Sequence, residues 1–383
     1  MRPFPDLCRK SSLVIVGLMS GTSHDGVDSA VVKILESGMD TRVRLLHHEH
    51  LDYPATLRAR IKASFSGSPA DICRLNFELG EFFGKAALAC IGTAGLKISQ
   101  VDAIASHGQT ICHIPPDANR RGSTLQIGES AVIAKKTGLP VVSDFRTADM
   151  ALNGHGAPLV PYADYILFRK KNRVTAAQNV GGIANVTVVT PELDEVTAFD
   201  TGPGNCLIDE AMHLLFRKPY DKNGAAAKAG SVDEGVLKDL LSHPYLAKRP
   251  PKSTGREVFG PDLIREILSR ERMKAEDVIA TLTHFTACSI KNAYDRFVLR
   301  DYRVSEIIVS GGGARNPFLM GLLTDSFKPI PVKGSEAYGI PSMAKEALSF
   351  AILANETLRG KPSNVPRVTG AKGRAVLGKI ILP

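Results

Sequence analysis

Two stretches of the 383-residue chain gather glycine, hydroxyl and carboxylate groups closely enough to handle an anion, Ser20-Gly21-Thr22-Ser23-His24-Asp25-Gly26 and Asp200-Thr201-Gly202-Pro203-Gly204-Asn205, and a third, Gly311-Gly312-Gly313, is a run of glycine alone. Glycines let successive backbone N–H groups turn toward one point, and Ser/Thr hydroxyls add further donors, so such loops suit phosphate. A polar hairpin tip is the alternative reading of the first loop. A helix start with Asn205 as N-cap is the alternative for the second. The glycine triplet leaves room for a flat ligand group to lie on the backbone. It nearly matches the dinucleotide pattern G-x-G-x-x-G, but Asn316 fills the last glycine place and Asp325 comes too early for a ribose-binding acid. There is no G-x-x-x-x-G-K-[ST] run.

These loops need elements to hold them. Val14 to Val16 and Val27 to Val32 are β-branched runs bounded by turn residues, which predicts a β-hairpin around the first loop. "VTAAQNVGGIANVTVVT" (174 to 190) repeats the pattern of strand, glycine turn (Gly181-Gly182) and strand. Each hairpin is followed by an apolar strand expected to end in a polar, glycine-containing loop, at 101 to 111 and at 304 to 317. After Asn205, apolar Leu207, Ile208, Met212, Leu214 and Leu215 follow a helical period, so that loop would aim free N–H groups and a helix dipole at a ligand. An amphipathic helix is expected from Ala344 to Ala354. The predicted fold is α/β, two domains of one design (1–172 and 173–383) whose loops face a central cleft, with the terminal segment able to pack back on the first.

Composition narrows the function classes. Hydrophobic residues make up 44%, and no run reaches the length of a membrane span. The start "MRPFPDLCRKSS" lacks a signal peptide's apolar segment, so a cytoplasmic protein with no membrane partner is expected. Net charge is +9, yet "RKKNR" (169 to 173) and "KRPPK" (248 to 252) are short and lie apart. Trp is absent and aromatics total 6%, which argues against a base-stacking surface and hence against nucleic acid. A solvated basic surface favouring small anionic substrates fits better. The six cysteines form no C-x-x-C pair and read as reduced, structural thiols.

The motifs "GLMSGTSHDGVD", "ASHGQT", "QIGE", "SDFR", "GHGAPLVP", "NVGGIANVT", "FDTGPGN" and "GGGARN", in this order, resemble those of the anhydro-N-acetylmuramic acid kinase family, from about residue 14 to the terminal "VTGAKGRAVLGKI". That family belongs to the actin, hexokinase and heat-shock-70 ATPase superfamily, so the resemblance implies duplicated actin-like (ribonuclease H-like) domains. It also implies ATP and Mg2+, a homodimer, and conversion of 1,6-anhydro-N-acetylmuramic acid to N-acetylmuramic acid 6-phosphate in peptidoglycan recycling. His24 stands where the family more commonly carries an aliphatic residue. ATP contacts are expected from Gly21, Thr22, Ser23, His24, Asp25, Gly26, Gly181, Gly182, Gly202, Gly204, Asn205, Gly311, Gly312 and Gly313.

The implied reaction separates the carboxylates by role. The bridging O6 of the sugar has no proton to lose, so water must attack the anomeric carbon with a carboxylate as base while O6 takes the phosphoryl group. Asp200 matches the family's catalytic aspartate and is expected to be that base, with helix capping as the alternative. Asp25 is expected near a Mg2+-bound water, with a turn-stabilising role as the alternative. Gln109, Glu129, Asp144 and Arg146 are expected to bind the sugar, Arg146 taking the lactyl carboxylate bidentately. Glu129 could instead cap a helix starting near Ser130. His107, His113 and His155 read as core or loop histidines, and Glu346 as either a site or a surface charge. A nucleotide-driven binding module and a nicotinamide dehydrogenase are the competing functions. The chain has no large third segment for the former, and only the incomplete glycine pattern supports the latter.

Overall fold

The computed structural model describes residues 7, 9–21, 24–117, 119–270 and 273–383. By contacts the chain forms two compact units, one of 1–167 with 344–383 and one of 168–343. The expected division at 172/173 assigned the whole of 344–383 to the second domain, apart from a terminal segment free to return. In the structure all forty of these residues belong to the first unit. The reason is burial: the helix Lys345–Leu358 is covered along nearly its whole length, with only Glu346 half-exposed. It is therefore a core helix, longer than the expected amphipathic one.

The first unit has β1 (Ser12–Ser20), β2 (Gly26–Leu35), β3 (Arg42–Asp52), β4 (Ala103–Ile114), β5 (Ser123–Ile127) and β6 (Val141–Ser143). The second has β7 (Val174–Val180), β8 (Ile183–Val189), β9 (Thr197–Pro203), β10 (Val304–Ser310) and β11 (Val332–Gly334). The last strand, β12 (Lys379–Ile381), adds antiparallel to β6.

The sheet orders are β3-β2-β1-β4-β6, extended by β12, and β9-β8-β7-β10-β11. In each, the first three strands in chain order pair antiparallel; β4 and β6 then continue the first sheet in parallel, with β5 antiparallel on β4, and β10 and β11 continue the second in parallel. The two hairpins expected from sequence are β1/β2 and β7/β8. One expectation fails: the chain does not leave the sheet after Ser106. β4 runs on through His107-Gly108-Gln109-Thr110 to Ile114, because that polar segment pairs with β5. Gly108, at φ 77°, absorbs the bend.

Apolar faces decide what covers each sheet. The helix Pro69–Thr93 starts at a capping box, with the Ser68 hydroxyl accepting from Asp71 N–H and the Asp71 carboxylate accepting in return. It packs Leu75, Leu79, Phe83 and Ala87 into a core with Val16, Val31 and Ile104. The helix Lys345–Leu358 also reaches β1, and Gly17 makes this possible, since a Cβ there would overlap Ala347 O. Asp149, fully buried, ties down the terminal segment by accepting from Gly156 N–H (2.8 Å), Asn364 Nδ2 (2.8 Å) and Thr369 Oγ1 (2.7 Å). In the second unit the helix Ala275–Phe297 and the β7–β10 strands share a core of Val186, Ile290, Tyr294, Ile307 and Val309. No described helix is long and apolar enough to cross a membrane.

Gly17→Ala is expected to lower stability by about 1–3 kcal/mol, as overpacking does in a filled core. A thermal or urea melt of the full chain checks it, and an unchanged midpoint would show that the helix is not in backbone contact with β1.

Candidate active site

In the second unit three chain reversals meet around Val180. The β7/β8 turn presents Gly181 O to Asn205 N–H (2.8 Å) and Gly182 O to the N–H groups of Gly204 (2.9 Å) and Cys206 (3.1 Å). Asn205 holds the N-cap position of the helix Cys206–Phe216, as the alternative reading had it, but its side chain makes no capping bond: Nδ2 donates to Val180 O at 3.2 Å. Gly204 has no room for a side chain against Gly181 O. Gly311 (φ 82°) would bring a Cβ within 2.7 Å of both Asn179 Oδ1 and Val180 O, and a Cβ on Gly313 would overlap the Val180 side chain. Gly312 is different: its nearest neighbour would be Asn205 Nδ2 at 3.4 Å. Gly181 and Gly182 are also roomy. Protein packing therefore requires glycine at 204, 311 and 313 but not at 181, 182 and 312, where open backbone suits an approaching ligand. Asn316, which broke the dinucleotide pattern, caps the helix Pro317–Ser326 by accepting from Phe318 and Leu319 N–H.

Asp200 sits on β9, half-buried. Its Oδ2 accepts from Thr254 N–H (2.9 Å), its own N–H donates to Lys252 O (3.1 Å), and its carbonyl accepts from Tyr245 OH (2.9 Å). None of these caps the helix Cys206–Phe216, so the capping alternative for Asp200 is absent. Burial pushes its carboxyl up to about 6; the Thr254 N–H and the Lys252 charge act against this, and Glu257 adds to it. An acid poised there is ionised at neutral pH yet basic enough to take a proton from water.

Sequence reasoning missed Lys252, which looked like one more charge in a solvated basic cluster. It is 9% exposed, with Nζ 4.7 Å from the Tyr245 ring centre and 5.0 Å from that of Phe297. Burial lowers its pKa to about 8. It also missed Asp209, in the first turn of Cys206–Phe216, whose carboxyl burial raises to about 7 against the pull of Arg256. Neither position carries a local pattern that would reveal its burial.

In the first unit the hairpin loop opens at Ser20, whose hydroxyl donates to Gln109 Oε1 (2.6 Å) and lies 2.8 Å from Tyr53 OH. Gln109 Nε2 reaches His24 Nδ1 at 3.2 Å. His24 has φ 53°, and its ring lies 5.1 Å from that of Phe65. Thr22 and Ser23 lie outside the described residues. Asp25 is exposed, and its carbonyl accepts from Tyr53 N–H at 2.8 Å. Gln109, expected to bind sugar, is fully buried and braces this loop.

Glu129 and Asp144 do come together. With Asn76, Ser130, Ser143 and Lys379 they line a cavity of about 580 Å³ beside β4, β5 and the helix Pro69–Thr93. Glu129 also acts as the helix cap, accepting from Ala131 N–H (3.0 Å) and from Asn76 Nδ2 (3.1 Å). Asp144, at φ 57°, is ion-paired to Lys379.

Arg146 does not line that cavity. Its Nε and Nη2 both donate to His107 Nε2 (3.1 and 2.8 Å), and Nη1 donates to Gly156 O (2.7 Å). The fork expected to grip a carboxylate is thus turned onto protein acceptors. His107 Nδ1 lies 2.8 Å from Gly108 O, so the ring is the neutral Nδ1–H tautomer with Nε2 free to accept. Burial and the Arg146 charge drive its pKa down to about 3. Glu346, half-exposed, is raised by burial and opposed by Lys345 and Arg146.

Two sheets of the same strand order, glycine reversals and a half-buried carboxylate beside them are a duplicated α/β design of the actin-like fold class. Within it, residues 13–383 match the model of the anhydro-N-acetylmuramic acid kinase family, and the chain belongs to that family. Among relatives so named, one from Bacillus cereus is 46% identical over 380 residues, covering 97% of this chain and 100% of its own. One from Caldanaerobacter subterraneus is 43% identical over 387 residues, covering 97% and 98%. Among solved structures, component A of the (R)-2-hydroxyglutaryl-CoA dehydratase of Acidaminococcus fermentans is 13% identical with a TM-score of 0.46, covering 90% of this chain and 99% of that one.

The room at Gly312 generates a prediction. Gly312→Val is expected to keep the wild-type melting temperature while weakening ATP binding in calorimetry, whereas Gly204→Val is expected to melt earlier. Unchanged ATP affinity in folded Gly312→Val would remove this loop from the nucleotide site.

Proposed function

We infer that the chain phosphorylates 1,6-anhydro-N-acetylmuramic acid with ATP and opens the anhydro bridge in the same event, yielding N-acetylmuramic acid 6-phosphate for cell-wall recycling. The observation that carries the mechanism is Asp200: a half-buried carboxyl, poised at about 6, in the middle of a strand that ends at Pro203, just before Gly204 and the helix Cys206–Phe216. Water attacks the anomeric carbon and gives its proton to Asp200. The bond from that carbon to O6 breaks, and O6 takes the γ-phosphoryl group as its bond to the β-phosphate oxygen breaks and ADP leaves. Phosphoryl transfer thereby replaces the acid a glycosidase would use on its leaving oxygen.

The remaining roles follow from the donors available. Gly21 to Gly26, Gly181, Gly182, Gly202, Gly204, Asn205 and Gly311 to Gly313 form the ATP contacts, with Gly181, Gly182 and Gly312 offering the open backbone while the Gly204 and Asn205 N–H groups stay on the Gly182 and Gly181 carbonyls. Asp25 offers an exposed carboxylate, the hard oxygen ligand that suits Mg2+, and the ion would neutralise phosphate charge there. Glu129 and Asp144 supply acceptors for sugar hydroxyl and amide groups. Arg146 contributes positive charge, and its use on the lactyl carboxylate requires it to release His107. Glu346 lies within the field of Arg146, and its carboxylate is part of the same charge balance. Action in the cytoplasm as a homodimer completes this reading, and sedimentation of the purified chain tests the dimer.

Incubation with ATP and the anhydro sugar in oxygen-18 water, sampled early, is expected to put the label on the anomeric carbon and none in phosphate. Label in the phosphoryl group, or a phosphorylated product that keeps its bridge, would sink the mechanism. Asp200→Asn is expected to lose at least ~10²- to 10⁴-fold in kcat with ATP and sugar binding largely kept. Asn can still accept the Thr254 N–H bond, so near-normal turnover would return Asp200 to a structural role.

The pH profile carries a sign. The base works ionised, so kcat/KM is expected to fall as pH drops through about 6. Lys252→Met removes a cation that holds Asp200 ionised, so this acid limb should move to higher pH. A limb that stays in place would separate Lys252 from the base.

A further inference from the structure

On the outer part of the first sheet, away from every residue given a role above, His47 and Glu49 project from β3 on one face, two residues apart. Cys90, in the last turn of the helix Pro69–Thr93, meets them there. The nearest ligand atoms of the three all lie within 4.8 Å of one another. His47 Nε2 and Glu49 Oε2 are both shut off from solvent, and neither has a hydrogen-bond partner. Cys90 is fully buried, with Sγ 3.5 Å from Ser29 O, and the neighbouring Ser29 hydroxyl is likewise buried without a partner. Leaving a buried polar atom unsatisfied costs about 1–3 kcal/mol, so two such atoms on residues grouped around one thiol call for a common occupant.

We propose that His47, Glu49 and Cys90 bind a thiophilic divalent cation of Zn2+ type, clamping β3 to the end of the helix Pro69–Thr93. One imidazole nitrogen, one carboxylate oxygen and one sulfur form a donor set that suits zinc rather than Mg2+ or Ca2+. Ligand atoms around tetrahedral zinc stand about 3.3–3.7 Å apart, so the trio must close by about one ångström, within reach of side-chain rotation. Coordination converts the Cys90 thiol to thiolate and releases one proton to water. The same helix carries Asn76, which accepts from Gly128 N–H at 2.7 Å and holds Glu129, so the clamp would steady one wall of the 580 Å³ cavity.

The proposal does not depend on the kinase reading, and its test reads metal rather than turnover. Full-length protein is stripped with a chelator, equilibrated with Zn2+ alone and assayed by mass spectrometry, and in parallel titrated with Co2+ and followed by absorption. The expected result is one zinc per chain, a higher melting temperature, and a thiolate-to-cobalt charge-transfer band. The band should survive Cys73→Ser and Cys112→Ser, which alter exposed thiols. Cys90→Ser and His47→Gln should each weaken zinc by more than the ~10–100-fold that loss of a supporting group costs. His48→Gln and His50→Gln, which disrupt the separate group around Asp28, should leave it unchanged. Absence of the cobalt band in wild-type protein, or equal zinc affinity in folded Cys90→Ser, overturns the site. Should the Cys90 and His47 variants fail to fold, the wild-type cobalt spectrum alone decides.

Discussion

Backbone-to-backbone approach around Val180 is the constraint on which the second unit's chemistry rests. Three reversals, from β7/β8, from the end of β9 and from the end of β10, come so close that side chains at 204, 311 and 313 would overlap carbonyl oxygens or Val180 itself. Hydrogen bonds from Gly204, Asn205 and Cys206 N–H to the Gly181 and Gly182 carbonyls lock the arrangement. Because the backbone itself holds the loops together, the neighbouring glycines at 181, 182 and 312 stay open. A loop cluster held by its own side chains would have had none of that room.

The same packing sets the electrostatics. Asp200 enters this cluster on the strand β9, and the burial that fixes its position also raises its carboxyl to about 6. Lys252 answers from an aromatic enclosure of Tyr245, Phe297 and Phe199, where loss of water lowers its own pKa to about 8. Each charge is costly to bury alone, and the field of each partly offsets the cost of the other. Thr254 N–H is the one fixed donor that keeps the acid from rising further, and it orients Oδ2 while doing so.

In the first unit, a buried carboxylate organises the polar chain behind Arg146. Asp149 gathers Gly156 N–H, Asn364 and Thr369, which holds the 149–156 loop against the terminal segment. Gly156 O is thereby placed to accept from Arg146, whose remaining N–H groups rest on a histidine kept neutral by burial. The guanidinium is stored on weak neutral acceptors rather than on a carboxylate. An anionic group would compete for it on favourable terms, since charge-assisted bonds are roughly twice as strong.

Local pattern alone determined the hairpins β1/β2 and β7/β8, the duplication, the glycine loops and the identity of the family, because alternation, turn residues and motif order are properties of neighbours in the chain. It also marked Asp200, Glu129 and Asp144, polar residues at the ends of apolar runs. Tertiary structure decided the rest. Gln109 and Arg146 carry the right groups for a sugar, but their hydrogen bonds go to Ser20, His24, His107 and Gly156, partners set by folding. Lys252 and Asp209 look like ordinary surface charges until distant elements bury them. The helix Lys345–Leu358 reads as one-sided, yet it is covered on nearly every side, since its sequence cannot declare that β1 offers Gly17 to receive it. His47 and Glu49 lie on a different element from Cys90, far from it along the chain. Desolvation and hydrogen-bond partnership depend on what the whole chain brings near, and no window of residues contains that information.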